Sequence, residues 1–167
     1  MDITRFLRQR QSAKSSAAKI PPIVHLWLLR ILVPLGGHNE FVNRHGFRND
    51  SLAALLGMSE WIDPTDREFD PRAVRSALRK LHEVAEQKFC KAKIPTCLSR
   101  NVTRLSELVG LSDTDRRVLQ FAVMLHSEQL LDDTADYLGQ LTSIKVYRAL
   151  AGLLGLAEQE VRSSLSM

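Results

Sequence analysis

The residues best spaced to do chemistry are arginines. Arg72, Arg75 and Arg79 stand at i, i+3 and i+7, a spacing that sets three guanidinium groups on one face of a helix. Lys88, Lys91 and Lys93 follow and prolong the positive charge. Such a row can hold the phosphates of a nucleic acid or the carboxylates of a protein; it can also be a solvated face whose late lysines suit the helix dipole. Arg5, Arg8, Arg10, Lys14 and Lys19 make the N-terminal segment basic as well. The formal charge of +4 divides into +7 over residues 1–100 and −3 over 101–167. Attraction to an acidic partner is therefore expected from the first part.

Other reactive residue types occur without the company that catalysis needs. Residues 35–41, LGGHNEF, contain two glycines but no Lys-Ser/Thr pair after them, so no phosphate-binding loop forms there. In GMSEW, Trp61 stands where a nucleophile elbow requires its second glycine. None of the five histidines, His25, His38, His45, His82 and His126, falls in an HExxH pattern. His38 and His45, with Glu40 between them, are the nearest approach to a metal site; His25, inside an apolar helix, reads as a hydrogen-bonded core residue. Asp132, Asp133 and Asp136 suit the capping and first turn of a short helix better than a hard cation. Cys90 and Cys97 flank Pro95 at a spacing that fits neither a zinc knuckle nor a CxxC redox pair, and read as two reduced structural thiols. An enzyme is not expected of this chain alone, and no cofactor or metal is assigned to it.

The elements that position these residues are helical almost throughout. The one strongly apolar run, residues 23–33, contains His25 and Arg30 and is far shorter than the ~20 residues a bilayer requires. It reads as a core helix, opened by Pro21-Pro22 and stopped by Gly36-Gly37. No membrane association and no export signal are expected, which implies a cytoplasmic protein. Asp70 caps and Pro71 begins a helix expected over 70–93, with Val74, Ala77, Leu78, Leu81, Val84, Ala85 and Phe89 as its apolar stripe. After the break at Pro95, Leu98, Val102, Leu105, Leu108 and Val109 share a face up to Gly110, and Ser112 caps the next helix. The expected fold is all-α, a multi-helix bundle with helix-turn-helix or winged-helix-like corners. Its expected parts are a basic segment at 1–20, a helical subdomain at 21–95 and a second at 96–167.

One phrase recurs: LAALLGM at 52–58, LSELVGL at 105–111 and LAGLLGL at 150–156. The first is followed by VRSAL at 74–78 and the last by VRSSL at 161–165. In such a phrase the leucines form the buried edge of a short helix and the glycine allows a tight turn. The spacing predicts a helix-turn-helix over 150–165, whereas the middle copy, without a VRS element, reads as an ordinary corner. Glu158 and Glu160 occupy the positions that would meet a DNA groove, so this unit is expected to pack against protein.

Residues 97–165 resemble the region that precedes the ATPase module in a group of large bacterial AAA+ ATPases. The features that carry the resemblance are Leu98, Arg100, Asn101 and Leu105, then Gly110, Leu111 and Ser112. Phe121, Ala122, Val123, Leu125 and His126 follow, and the closing EVRSSL completes it. The resemblance implies that the chain is the N-terminal part of a longer protein, whose nucleotide-binding motifs, with ATP and Mg, lie downstream. The last helix, which reaches Met167 without a Gly, Asn or Pro stop, agrees with that. The function expected is a non-catalytic recognition or regulatory domain that binds a protein partner or substrate, with oligomerisation through the ATPase module. The alternative is a nucleic-acid-binding helical module using the Arg72, Arg75 and Arg79 face.

Overall fold

The computed structural model describes residues 20–63 and 68–166. The cations Arg5, Arg8, Arg10, Lys14 and Lys19 lie outside the described residues. Among those described, nine α-helices run in the order α1 Pro22–Leu32, α2 His38–Phe41, α3 Asp50–Leu55, α4 Pro71–Phe89, α5 Thr96–Val109, α6 Asp113–Ser127, α7 Gln129–Ala135, α8 Ser143–Leu154 and α9 Glu158–Leu165. Two single 3-10 turns, Ser59–Trp61 and Asp136–Leu138, complete the set. The all-α fold read from the apolar spacing is the fold observed. Sheet structure among the described residues amounts to one isolated antiparallel bridge, Val42 with Phe47.

Helix α1 is the axis. Its Val24, Leu26, Trp27, Leu28, Leu29, Ile31 and Leu32 are all buried, so it is covered on nearly every side. It packs against α4, α7 and α8. At about 1.5–3 kcal/mol for each large aliphatic side chain taken out of water, this one helix anchors the structure. Its core is shared with residues on both sides of Pro95: Val74 and Leu78 of α4, Phe121 and Met124 of α6, Leu131 of α7, and Leu153 and Leu154 of α8. Trp27 meets Phe121 edge to face with centroids 5.0 Å apart.

Local chemistry sets the helix ends. The Asp70 carboxylate accepts from the Arg72 backbone N–H at 2.8 Å, and Pro71 takes the first turn, where its missing N–H costs nothing. Ser112 and Asp115 cap α6 reciprocally, at 3.1 Å and 2.9 Å. The recurrent phrase corresponds to one shared geometry: Gly57, Gly110 and Gly155 all close a helix with φ between +61° and +79°, where a side chain would be strained. The middle copy is as tight as the last. Three residues join α5 to α6, 110–112, and three join α8 to α9, 155–157.

Helix α4 differs from its expected form in two respects. Helix α4 ends at Phe89 rather than near Lys93, because a turn from the Ala92 N–H to the Phe89 carbonyl intervenes and Ile94, preceding Pro95, leaves the helical region. Val84, expected in the apolar stripe, is 59% exposed, since it lies at the margin of the face that meets α1. No helix among the described residues is long and apolar enough to cross a membrane.

Candidate functional site

The structure separates the six cations expected to share a surface. Arg72 and Arg79 remain exposed on α4. Arg75 turns inward: its Nη2 donates to the Val42 carbonyl at 3.3 Å, and its Nε is buried without a hydrogen-bond partner among the described residues. It steadies the loop after α2, where Asn43 N–H meets the Gly46 carbonyl at 2.9 Å and Phe41 stacks near Phe47 at 5.1 Å. The i, i+3, i+7 row thus loses its central member to packing. Lys88 lies with its ammonium 5.3 Å from the Phe89 ring centre, and Lys91 is exposed in the link to α5.

Lys93 belongs to a different surface. With Arg100 and Arg104 of α5 it lines an open groove of about 910 Å³, whose walls also include Thr96, Ser99 and Thr103. Glu107 is the one carboxylate in the lining. Among the described residues, none of Lys93, Arg100 and Arg104 makes an ion pair. The groove holds the first turns of α5, so the positive end of the helix dipole adds to the side-chain charge. Arg100 and Arg104 were missing from the cationic face read from the sequence; their i, i+4 spacing just after Pro95 was the available signal.

On the same helix, the apolar stripe meets too little protein to cover it. Val102 is buried, but Leu105, Leu108 and Val109 are 43%, 83% and 62% exposed. The main neighbour of α5 is α6, which covers one side of it. Sequence spacing marked these residues as core; they stand in water because no described element lies opposite them.

Elsewhere, charged groups are committed to the fold. Arg30 forms a fork with Glu86, Nε to Oε1 at 2.6 Å and Nη2 to Oε2 at 2.9 Å, and its Nη1 donates to the Leu153 carbonyl at 2.5 Å. His82 adds a contact to Glu86 at 3.1 Å. The hydrogen bonds from Arg30 hold the Glu86 carboxyl below the usual carboxylate range, against the opposing effect of burial. Arg117 donates to the Leu154 carbonyl. These two arginines satisfy the end of α8 and flank a cavity of about 280 Å³ walled by Trp27, Ile94 and Leu153, which reads as a joint between helices.

The candidate metal and groove-reading residues are occupied in the same manner. His38 Nδ1 lies 2.7 Å from the Leu32 carbonyl at the end of α1, and Glu40 pairs with Arg48 at 3.0 Å. Among the described residues no group of three His, Cys, Asp or Glu side chains is arranged to hold a metal ion. His25 meets Phe89 edge to face at 5.6 Å, and burial, then the Lys88 charge, lower its pKa. Cys90 and Cys97 are free and both exposed, so they do not fill the core. At the last corner, Glu158 pairs with Arg148 at 3.3 Å and Glu160 accepts from the Ala157 N–H at 3.2 Å. Both carboxylates therefore hold the α8–α9 corner together.

Comparison with known protein families, with characterised proteins and with solved structures finds no match to this chain.

Proposed function

We propose that this chain is a non-catalytic, all-α recognition domain that docks a protein partner along the open side of α5. The observation that carries the reading is the exposure of Leu105, Leu108 and Val109 on a helix closed by Gly110. Contiguous large aliphatics left in water cost the isolated domain solubility, and a partner surface recovers that cost on burial. The resemblance of residues 97–165 to the region before the ATPase module of AAA+ proteins supports placing the domain ahead of such a motor, in a cytoplasmic bacterial protein. Binding at α5 would then be coupled to ATP hydrolysis in that module. A photo-crosslinking amino acid at position 108 tests the docking, with one at the exposed position 163 as control. A protein adduct formed at 108 and not at 163 is the expected result, and no adduct at 108 refutes it. A phosphate-binding loop encoded downstream of Met167 tests the link to the motor.

A second reading has its own support. The groove holding Lys93, Arg100 and Arg104 could take the phosphates of a nucleic acid. Retardation of an oligonucleotide that weakens steeply with salt, and loses about one unit of salt slope on Arg100→Gln, would favour it.

A further inference from the structure

The open side of α5 carries two adjacent ridges at i+4 spacing. One runs Arg100, Arg104, Leu108; the other runs Asn101, Leu105, Val109. Ridges of this kind enclose a furrow into which a ridge of a second helix packs, the commonest mode of helix association in globular proteins. The furrow is graded along its length. Its N-terminal half is bordered by the exposed Arg100 and Arg104, while its C-terminal half is aliphatic and exposed. Resting on the docking reading above, we infer that α5 receives an acidic amphipathic helix of a protein partner, with carboxylates over Arg100 and Arg104 and aliphatic side chains over Leu105, Leu108 and Val109.

Charge and side-chain type select this occupant over the others available. A second copy of the chain would set α5 against α5, and Glu107 is the only carboxylate that each helix offers to the two arginines of the other. Residues 1–19 carry Arg5, Arg8, Arg10, Lys14 and Lys19 against Asp2, the wrong sign for the cationic half. A single-stranded nucleic acid needs rings on which its bases stack, and α5 has no aromatic residue. The furrow's two arginines call for carboxylates, and its aliphatic end calls for leucine-like partners.

Fluorescence anisotropy of the whole chain tests the inference with labelled helical peptides of about 18 residues, long enough to span α5. One pair carries glutamates in one half and leucines at i, i+3, i+4 and i+7 in the other, in both orders along the peptide. A third has the same composition, shuffled so that no apolar face forms. The expected result is binding by one of the graded pair, weakened about tenfold by Leu108→Ser and by Arg104→Glu, and unchanged by Val84→Ser on α4. Circular dichroism should show all three variants folded, since each altered side chain lies on the surface. Equal binding of the shuffled peptide, or equal weakening by Val84→Ser, overturns the inference. So does tighter binding of a single-stranded oligonucleotide or of anionic phospholipid vesicles, or a dimer in sedimentation that Leu108→Ser dissolves. A protein adduct at position 108 without binding of either graded peptide leaves the docking reading standing and ends this one.

Discussion

Helices α1 and α5 were both marked by their apolar spacing as elements that face a core, and only α1 does. Seven of its eleven residues are buried; of the fourteen in α5, Val102 alone is. The difference lies in what surrounds each helix. Helix α1 threads between α4, α7 and α8, whereas α5 leans on α6 and leaves its other side open. The charges differ in the same way: Arg30 of α1 is forked onto Glu86, while Arg100 and Arg104 of α5 have no carboxylate partner among the described residues. A periodic apolar stripe thus states what a helix can bury. Whether it does so depends on a neighbour, and the unburied stripe on a helix with unpaired cations is what the proposed docking surface rests on.

Mutations should widen or collapse that contrast, beginning with the axis. Leu28→Ala in α1 should cost about 2–5 kcal/mol in urea unfolding, through lost burial and a residual cavity. A loss comparable to that of an exposed leucine would show that α1 is no anchor. Glu86→Ala should cost about 2 kcal/mol, less than a wholly buried pair because Glu86 is partly exposed, since it strands the Arg30 guanidinium between helices. Gly155→Ala should cost about 1 kcal/mol, read as a lower thermal midpoint, because the last helix corner needs a left-handed residue.

Acid should also act on the axis. Burial and the Lys88 charge hold His25 below the ordinary imidazole range, so the unfolded chain takes up that proton first as pH falls. Stability should be full above the ordinary histidine range and decline through it toward the lowered folded value, and His25→Phe should flatten that part of the profile. At lower pH, protonating Glu86 removes the hydrogen-bonded carboxylate from Arg30, and stability should fall again. The smallest expected effect completes the comparison: Leu108→Ser in α5 should leave stability within about 0.5 kcal/mol while weakening partner binding. A large loss of stability there would mean that α5 is buried in solution, and the contrast would collapse.

Much of the fold could be read in advance because its signals are local. Asp70-Pro71 and Ser112 each announce a helix start through groups a few residues apart, and Gly57, Gly110 and Gly155 end helices through their own backbone freedom. The candidate site was only partly legible. Lys93 stands in the row counted along α4, whereas in the structure it lines a groove with Arg100 and Arg104, which sit beyond Pro95, and a row counted along one helix does not cross that break. Arg75 could not be subtracted from the α4 row by any local rule, since its partner, the Val42 carbonyl, lies 33 residues away.

The sequence by itself determined the helices, their caps and corners, and the amphipathic character of each, because those depend on hydrogen bonds and side chains within one or two turns. The tertiary structure alone decided which cations are free and which leucines stay in water. That choice depends on distant carbonyls and carboxylates, such as Glu86 lying 56 residues from Arg30, and on which helix has another placed opposite it.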